Sequence, residues 1–224
     1  MNYMICGTGR ARTGILAKYL RKLGLGAPDE FYEHARHDLH LLTEEAAVRD
    51  YIEARRVNSV FGIKMVWSHV ARMHKSLGLK LPEFIDTYMP KPVYLFQTRD
   101  PMLQAIESMI YGMQRDGLSL KRQHFDLDVF KQRVARILIG NQAWRVFFER
   151  QGVSPIHVDA AELEADPVPV LKDIYRQLGI PYPDVAIKNT FSDALMNAFR
   201  DEVYSVSLRR HQMLMNDIDV KEFL

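Results

Sequence analysis

The sequence of 224 residues is short of several features that define broad classes of protein. A single cysteine, Cys6, excludes an internal disulfide framework and a metal cluster built on several thiolates, which favours a reducing compartment. No stretch approaches the roughly 18 consecutive apolar residues that cross a bilayer, and no basic segment followed by an apolar one opens the chain. The sequence therefore predicts a cytoplasmic protein without a membrane span.

Neither sign of charge is in large excess. Lys and Arg number 30 against 28 Asp and Glu, which leaves a formal net charge of +2 and no global field that would predict nucleic-acid binding. With 47% apolar and 26% charged residues, the composition is that of an ordinary globular protein. The length suits one domain over residues 1–224, and any anion site must be local.

Short apolar runs alternate with segments of helical periodicity. The runs of strand length are 3–6, 60–67, 93–98 and 155–159. Apolar residues at helical spacing predict helices at about 13–23, 38–55, 68–78, 101–115, 126–151 and 167–178. This alternation predicts parallel βαβ units, and hence a three-layer α/β/α fold with a central parallel sheet.

Glycine and arginine are concentrated in the first strand-to-helix turn, CGTGRARTG at 6–14. Backbone N–H groups and the dipole of the following helix attract a phosphate or sulfate to such a loop. A dinucleotide fingerprint would need glycine where Arg12 stands, and an ATP-hydrolysing P-loop would need Gly-Lys-Ser/Thr at the end of the loop. The remaining interpretation is a loop in which Arg10 and Arg12 replace lysine over a transferring anion, and the alternative is that both arginines are solvated surface charges.

A second anion site is predicted where the strand at 93–98 ends. Asp100 suits the N-cap of the next helix and Pro101 its first turn, so Arg99 lies at the mouth of the sheet. Arg99 and Ser108 could share a phosphate there, and two separated anion sites would suit a nucleotide with 3′ and 5′ groups. The alternative is a capped helix beside one exposed arginine.

Six segments carry a resemblance to a known family. They are ICGTGRARTG (5–14), GAPDEFYEH (26–34), FGIKMVW (61–67), TRDPMLQAIES (98–108), NQAWRVFFERQG (141–152) and ELEADPVPVLKDIYRQLGI (162–180). In this order they resemble the sulfotransferases that use 3′-phosphoadenosine 5′-phosphosulfate (PAPS), and within them the bacterial branch typified by trehalose sulfotransferase. The resemblance covers about residues 3–180 and implies the P-loop-like sulfotransferase fold.

The resemblance also implies roles for individual residues. Arg10 matches the arginine that binds the 5′-phosphosulfate. Arg99 and Ser108 match the site that binds the 3′-phosphate. Glu30 matches the glutamate proposed as the base that deprotonates the acceptor hydroxyl. The loop positions implied to bind PAPS are Gly7, Thr8, Gly9, Arg10, Ala11, Arg12, Thr13 and Gly14.

The chain departs from the family pattern at several of these positions. Gly9 lies where the family pattern has proline, and Ala11 lies where it has serine. Arg12 lies where the pattern has glycine, and Gly14 lies where it has threonine. Glu107 holds the usual place of the serine that binds the 3′-phosphate, and Ser108 follows it.

The predicted activity is transfer of a sulfuryl group from PAPS to a hydroxyl of a carbohydrate or other small molecule, with no metal required. His34, Lys64, Trp67 and His69 are candidate contacts for the acceptor, although packing is the alternative for Lys64 and Trp67. HARHDLH at 34–40 is the one histidine cluster, and it lacks a clear carboxylate or cysteine pattern for a metal.

Two other functions stay open at this point. One is a catalytically degenerate protein of the same fold that binds a nucleotide or sulfated ligand, and the other is a small-molecule kinase. The resemblance also favours a homodimer.

Overall fold

The computed structural model describes residues 1–32, 39, 42–115 and 126–187, in which four strands form one sheet. The strands are β1 (Asn2–Gly7), β2 (Phe61–Val66), β3 (Val93–Thr98) and β4 (Ile156–Asp159). All neighbouring strands are parallel, in the order β2-β1-β3-β4. The central parallel sheet predicted from the sequence is confirmed, and each strand end lies within one residue of its predicted position.

Eight helices are described beside the sheet. They are α1 (Thr13–Lys22), α2 (Glu45–Glu53), α3 (Trp67–Leu77), α4 (Leu81–Tyr88), α5 (Pro101–Arg115), α6 (Leu127–Gln151), α7 (Ala160–Ala165) and α8 (Pro167–Gln177). The sequence patterns do not predict α4 and α7. Of the helix predicted at 38–55, the described part begins only at Glu45. Trp67 was expected on the second strand and instead opens α3, because the chain turns after Val66.

The chain divides into two compact units. The first includes residues from Met1 to Arg99 and from Gly140 onward, and it holds the whole sheet. The described part of the second lies between Asp100 and Ile139 and contains α5 and the first part of α6. A single domain over residues 1–224 stays a prediction.

Helices cover both faces of the sheet in the first unit. Alternate strand residues, among them Met4, Cys6 and Ile63, are buried with apolar residues of α2, α3, α4 and the end of α6. The other face carries Tyr3 and Ile5 and packs against α1. Beyond α1, Tyr175 of α8 donates a hydrogen bond from its hydroxyl to the carbonyl of Leu23 over 3.0 Å. The helix–sheet–helix layering agrees with the predicted fold class.

Aromatic rings hold the C-terminal half of α6 on the sheet. Trp144, Phe147 and Phe148 pack with Tyr94 and Phe96 of β3, with ring centroids of the contacting pairs 5.4–5.9 Å apart. Edge-to-face and stacked ring pairs of this kind add to the free energy gained by burial. Trp144, Phe147 and Phe148 are all buried, so they belong to the core of the first unit.

The second unit has a small core of its own. Apolar residues of α5 at three-and-four spacing meet apolar residues of α6: Ala105, Ile106, Met109, Ile110, Phe130, Val134 and Ile137. Within the described residues of either unit, no helix combines the length and the apolar character needed to cross a bilayer.

Candidate anion site at the carboxyl edge of the sheet

The glycine- and arginine-rich loop lies where the parallel strands end. β1 ends at Gly7 and α1 begins at Thr13, which is the predicted strand–loop–helix order. The chain crosses from β1 to β2 on one side and later reaches β3 on the other side, so the strand order reverses beside β1. Ligands of open α/β sheets bind at such switch points, outside the carboxyl ends of the strands.

The N-terminus of α1 has no side-chain cap. Its N-cap residue is Arg12, which makes no side-chain capping hydrogen bond. The N–H groups of a first helical turn have no partner within the helix, and they add to the positive end of the helix dipole. This arrangement favours an anion at the loop.

Two loop residues hold an unusual backbone conformation. Arg10 has φ 64° and Arg12 has φ 65°, in the left-handed region that favours glycine. Such conformations cost free energy and are found preferentially at functional sites, where the surrounding structure holds them in place. At Arg12 the conformation is the one that the glycine of the family pattern would adopt without strain.

The side chain of Arg12 is directed at α7. Its Nε donates to Oε1 of Glu164 over 3.0 Å. The same carboxylate oxygen lies 3.6 Å from Nη2 of Arg99. Glu164 is therefore a counter-ion for two arginines that the sequence had assigned to separate anion sites, and no local pattern marks it.

Arg99 is buried at the end of β3, with 6% of its side chain exposed. Its Nη1 donates to the carbonyl of Arg10 over 3.2 Å, which joins the end of β3 to the loop. Asp100 accepts hydrogen bonds from the N–H groups of Met102 and Leu103, so its predicted role as a helix cap is confirmed. The alternative prediction of an exposed arginine is wrong, because the side chain of Arg99 is buried.

On the other side of the loop, Lys64 of β2 pairs with Glu30. Its Nζ lies 3.1 Å from Oε1 of Glu30, and only 9% of the lysine side chain is exposed. The backbone next to Glu30 runs alongside β2, since the N–H of Lys64 donates to the carbonyl of Asp29 over 2.9 Å. A Cβ at Gly14 would lie 3.5 Å from Lys64 Nζ, so the ammonium also reaches the first turn of α1.

The C-terminal half of α6 supports the start of the loop. Trp144 donates from Nε1 to the carbonyl of Gly7 over 2.8 Å, and the hydroxyl of Thr8 lies 3.4 Å from Oδ1 of Asn141. Gly140 allows this close approach, because a Cβ there would lie 2.7 Å from Cγ2 of Thr8. The helical spacing of Trp144 gives no signal for its hydrogen bond to Gly7, so this contact could not be predicted from the sequence.

A buried side-chain amide belongs to Gln97, near the end of β3. Gln97 is fully buried, and within the described residues neither its Nε2 nor its Oε1 has a hydrogen-bond partner. The backbone carbonyl oxygen of Gln97 would be 3.0 Å from a Cβ at Gly7, so the backbone of β3 passes close to the start of the loop. A buried polar group without a partner is uncommon and is found where a water or ligand group completes the site.

The remaining predicted residues are spread over different parts of the chain. Trp67 packs edge-on against Trp144 with ring centroids 5.1 Å apart, and His69 is buried in α3. Ser108 belongs to the second unit, where its hydroxyl accepts from Nη1 of Arg133. His34 lies outside the described residues. Among the residues that are described, no group of three His, Cys, Asp or Glu could hold a metal ion.

Known proteins resemble this chain in sequence and in fold. Residues 2–198 match the family described as Stf0 sulphotransferase. Comparison with curated proteins gave no match. A sulfotransferase from Alicyclobacillus acidocaldarius is similar in structure, with a TM-score of 0.53 and 18% identity, over 94% of this chain and 95% of that one. The sulfotransferase domain from the curacin biosynthetic pathway has a TM-score of 0.51 and 14% identity, over 85% of this chain and 78% of that one. At these identities the solved structures show the fold alone.

Proposed function

The chain belongs to the Stf0 sulphotransferase family, and from this premise we propose that it transfers a sulfuryl group from PAPS to a hydroxyl of a carbohydrate or other small molecule. Membership of the family indicates a transferase. The identity of the donor and the class of acceptor are proposed in addition. The carbohydrate follows from the resemblance to the trehalose-specific bacterial branch.

One observation carries the proposal. The phosphate-type loop follows β1, whose neighbours in the sheet are β2 and β3; the cation of Lys64 lies on β2 and that of Arg99 at the end of β3. Sulfuryl transfer needs positive donors where charge gathers on the sulfuryl and leaving oxygens, and it needs the reacting groups held in line. The cations on both sides of the uncapped N-terminus of α1 would supply these positive donors.

The residues fit PAPS in most respects. The uncapped first turn of α1 suits the 5′-phosphosulfate. Arg10 and the loop residues from Gly7 to Gly14 would hold the 5′ group. Arg99 would hold the 3′-phosphate, and a share for Ser108 stays a prediction. Against this, Glu164 already neutralises part of the charge of Arg12 and Arg99, so it competes with the nucleotide.

When bound, PAPS supplies a sulfuryl group on a phosphate leaving group: a bond forms from sulfur to the acceptor oxygen, the bond from sulfur to the phosphate oxygen breaks, and its electron pair stays on the phosphate. Glu30 would take the proton of the acceptor hydroxyl. Its carboxylate lies 3.1 Å from the ammonium of Lys64, which holds it beside β2. No step in this scheme uses a metal.

The acceptor site is the least defined part of the proposal. Trp67 and His69, with Lys64 and His34, remain the proposed contacts for a hydroxyl compound. Acceptor pockets are built on loops that vary independently of the fold, so the family alone does not name the alcohol. A homodimer is likewise proposed from the resemblance, and a cytoplasmic location from the single cysteine.

The test is calorimetric titration of the purified protein with 3′-phosphoadenosine 5′-phosphate (PAP), in parallel with ADP and with ATP plus magnesium. We expect micromolar binding of PAP, much weaker binding of ADP, and loss of PAP binding in Arg99→Ala. Arg176→Ala is the matched control, because Arg176 is an exposed arginine of α8 that pairs with Asp173.

The other outcomes identify other functions. Binding of ATP that depends on magnesium, without binding of PAP, would indicate a small-molecule kinase. Failure of the wild-type protein to bind any of these nucleotides would contradict the proposal and favour the degenerate member of the fold. With PAP binding established, incubation with PAPS and a panel of sugars and other alcohols tests the transfer itself.

A further inference from the structure

One carboxylate oxygen near the loop is shared by two arginines. Oε1 of Glu164 lies 3.0 Å from Nε of Arg12 and 3.6 Å from Nη2 of Arg99. Arg12 lies where the family pattern has glycine, which has no side chain, so the pattern gives no role to a guanidinium at this position. The reason for the contact must be found in this chain itself.

The position of Glu164 is not explained by its own helix. Glu164 is the next-to-last residue of α7, and the C-terminal end of a helix disfavours a negative charge. The two arginines are less exposed than the carboxylate, with 14% of the Arg12 side chain and 6% of the Arg99 side chain exposed against 28% for Glu164. The contact is therefore better explained by the needs of the arginines.

A buried guanidinium needs an anion beside it. Arginine keeps its charge in proteins, and leaving a buried charge uncompensated is strongly unfavourable. Arg99 donates through Nη1 to the neutral carbonyl of Arg10 and approaches the negative charge of Glu164 through Nη2. A phosphate that displaced Glu164 would supply that negative charge in its place, and the carboxylate would return when the phosphate leaves.

The arrangement of two guanidinium groups around one oxygen also fits a phosphate. A guanidinium carries five N–H donors in a planar fork, and such forks bind carboxylate and phosphate oxygens alike. One phosphate group has enough oxygens to accept from both arginines at once. Because Arg99 is the residue proposed for the 3′-phosphate, a group that replaces Glu164 beside it is also within reach of Arg12.

We propose that the side chain of Arg12 is a second ligand of the 3′-phosphate, and that Glu164 occupies the place of this phosphate until the nucleotide displaces it. This inference rests on the proposed function, and the backbone of Arg12 remains part of the loop that would hold the 5′ group. Exchange of one anion for another keeps both guanidinium groups compensated in the free and in the bound protein. A nucleotide without a 3′-phosphate leaves Glu164 in place, so Arg12 and Glu164 together select for the 3′-phosphate.

The experiment compares PAP with adenosine 5′-monophosphate (AMP), which differs from PAP only in lacking the 3′-phosphate. Affinities are measured by calorimetry for the wild type and for Glu164→Gln. Glutamine removes the competing charge and keeps the shape of the side chain, so PAP binding should tighten about three- to tenfold. AMP binding should change by less than about twofold, because AMP does not displace Glu164 and a more distant charge is screened. Equal changes for both nucleotides, no change in either, or weaker PAP binding would overturn the inference.

Arg12→Gly is tested in the Glu164→Gln background, where no carboxylate at position 164 competes. Glycine adopts the φ of 65° found at Arg12 without strain, so the loop should keep its shape. Loss of the charged donor should weaken PAP binding about ten- to hundredfold and AMP binding by less than about threefold. Arg10→Gly in the same background is the matched control, since Arg10 has φ 64° in the same loop and is proposed to hold the 5′ group. Both nucleotides carry a 5′-phosphate, so this control should weaken them alike.

The outcomes separate this inference from the proposed function. If Arg99→Ala abolishes the preference for PAP over AMP while Arg12→Gly keeps it, the inference is wrong and the proposed function stands. If the wild type does not prefer PAP to AMP, it has no site for the 3′-phosphate and both proposals fail. If the double variant does not fold, as judged by circular dichroism, the Glu164→Gln result decides alone.

Discussion

Arg12 at the N-terminus of α1 donates from Nε to Oε1 of Glu164 over 3.0 Å, across 152 residues of sequence. The sequence had left open whether an arginine in place of the family glycine would sit in the anion site or on the surface. The structure gives a third answer, in which the guanidinium is held by a carboxylate of α7. Because the same oxygen lies 3.6 Å from Nη2 of Arg99, the negative charge of Glu164 offsets part of the positive charge of both arginines at the loop.

Replacement of Glu164 by glutamine should therefore tighten anion binding. The change removes the negative charge shared by Arg12 and Arg99 while keeping the shape of the side chain, so we expect PAP affinity to rise about three- to tenfold. Calorimetry at two salt concentrations checks this, and the gain should shrink at high salt. Glu162→Gln, an exposed acid of the same helix, is the control. Weaker binding in Glu164→Gln would mean that the carboxylate positions the arginines.

The backbone of Arg12 allows a second comparison. Arg12→Ala and Arg12→Gly both lose the ion pair, but only glycine adopts φ 65° without strain. We expect the glycine variant to be more stable than the alanine variant by about 1 kcal/mol in urea unfolding. In each variant the free energy of unfolding changes through both the lost ion pair and the backbone. The difference between the two variants isolates the cost of the left-handed backbone conformation. Equal free energies of unfolding would show that the left-handed conformation costs nothing here.

The contact between α6 and the loop predicts an effect of a single methyl group. Gly140→Ala puts a Cβ 2.7 Å from Cγ2 of Thr8, so the helix or the loop must shift. We expect a loss of about 1–3 kcal/mol in the free energy of unfolding, together with weaker PAP binding.

Gly112→Ala is the matched control for that prediction. Gly112 also lies within a helix, and among the described residues the nearest atom to a Cβ there is Nη2 of Arg133, at 3.7 Å. Alanine is the better helix former, so this variant should be neutral or up to about 1 kcal/mol more stable. If both variants are destabilised alike, the close approach of Thr8 to α6 is not the cause.

The elements that the sequence predicted well are those with a local signal. Each strand is a short apolar run, and β1 and α1 are separated by glycines and arginines that fit neither element. Helix α4 was missed although it has a start signal. Pro82 lies in its first turn, and Glu83 accepts from the N–H of Lys80 over 2.7 Å. Helix α7 has six residues, too few for a periodic pattern to appear.

The parts of the site that the sequence missed are those made by residues distant in the chain. Trp144 has the spacing of a core residue, and nothing in that spacing indicates a hydrogen bond to Gly7. Glu164 and Lys64 each reach the loop from another element, so their roles depend on the strand order β2-β1-β3-β4 rather than on neighbours in sequence. Motif patterns located the loop, and the fold was needed to identify what surrounds it.

Alkaline pH should destabilise the folded chain through its buried tyrosines. Burial raises the pKa of Tyr175 to about 12, with nearby Tyr182 adding to the effect, and burial likewise raises the pKa of Tyr94 to about 12. In the unfolded chain these hydroxyls ionise near the ordinary value of 10.0. The unfolded state therefore loses protons first, so the full stabilisation is present below about pH 10 and is lost as pH rises towards 12.

The measurement is urea unfolding at several values of pH between 9 and 12, for the wild type and for Tyr175→Phe. Each such tyrosine contributes a slope of up to about 1.4 kcal/mol per pH unit above pH 10, and Tyr175→Phe should remove one contribution. The variant also loses the hydrogen bond to Leu23, which lowers stability at every pH and leaves the slope as the informative quantity. If Tyr175→Phe kept the wild-type slope, Tyr175 would ionise equally in the folded and unfolded chain, and its burial would have no part in the alkaline limit.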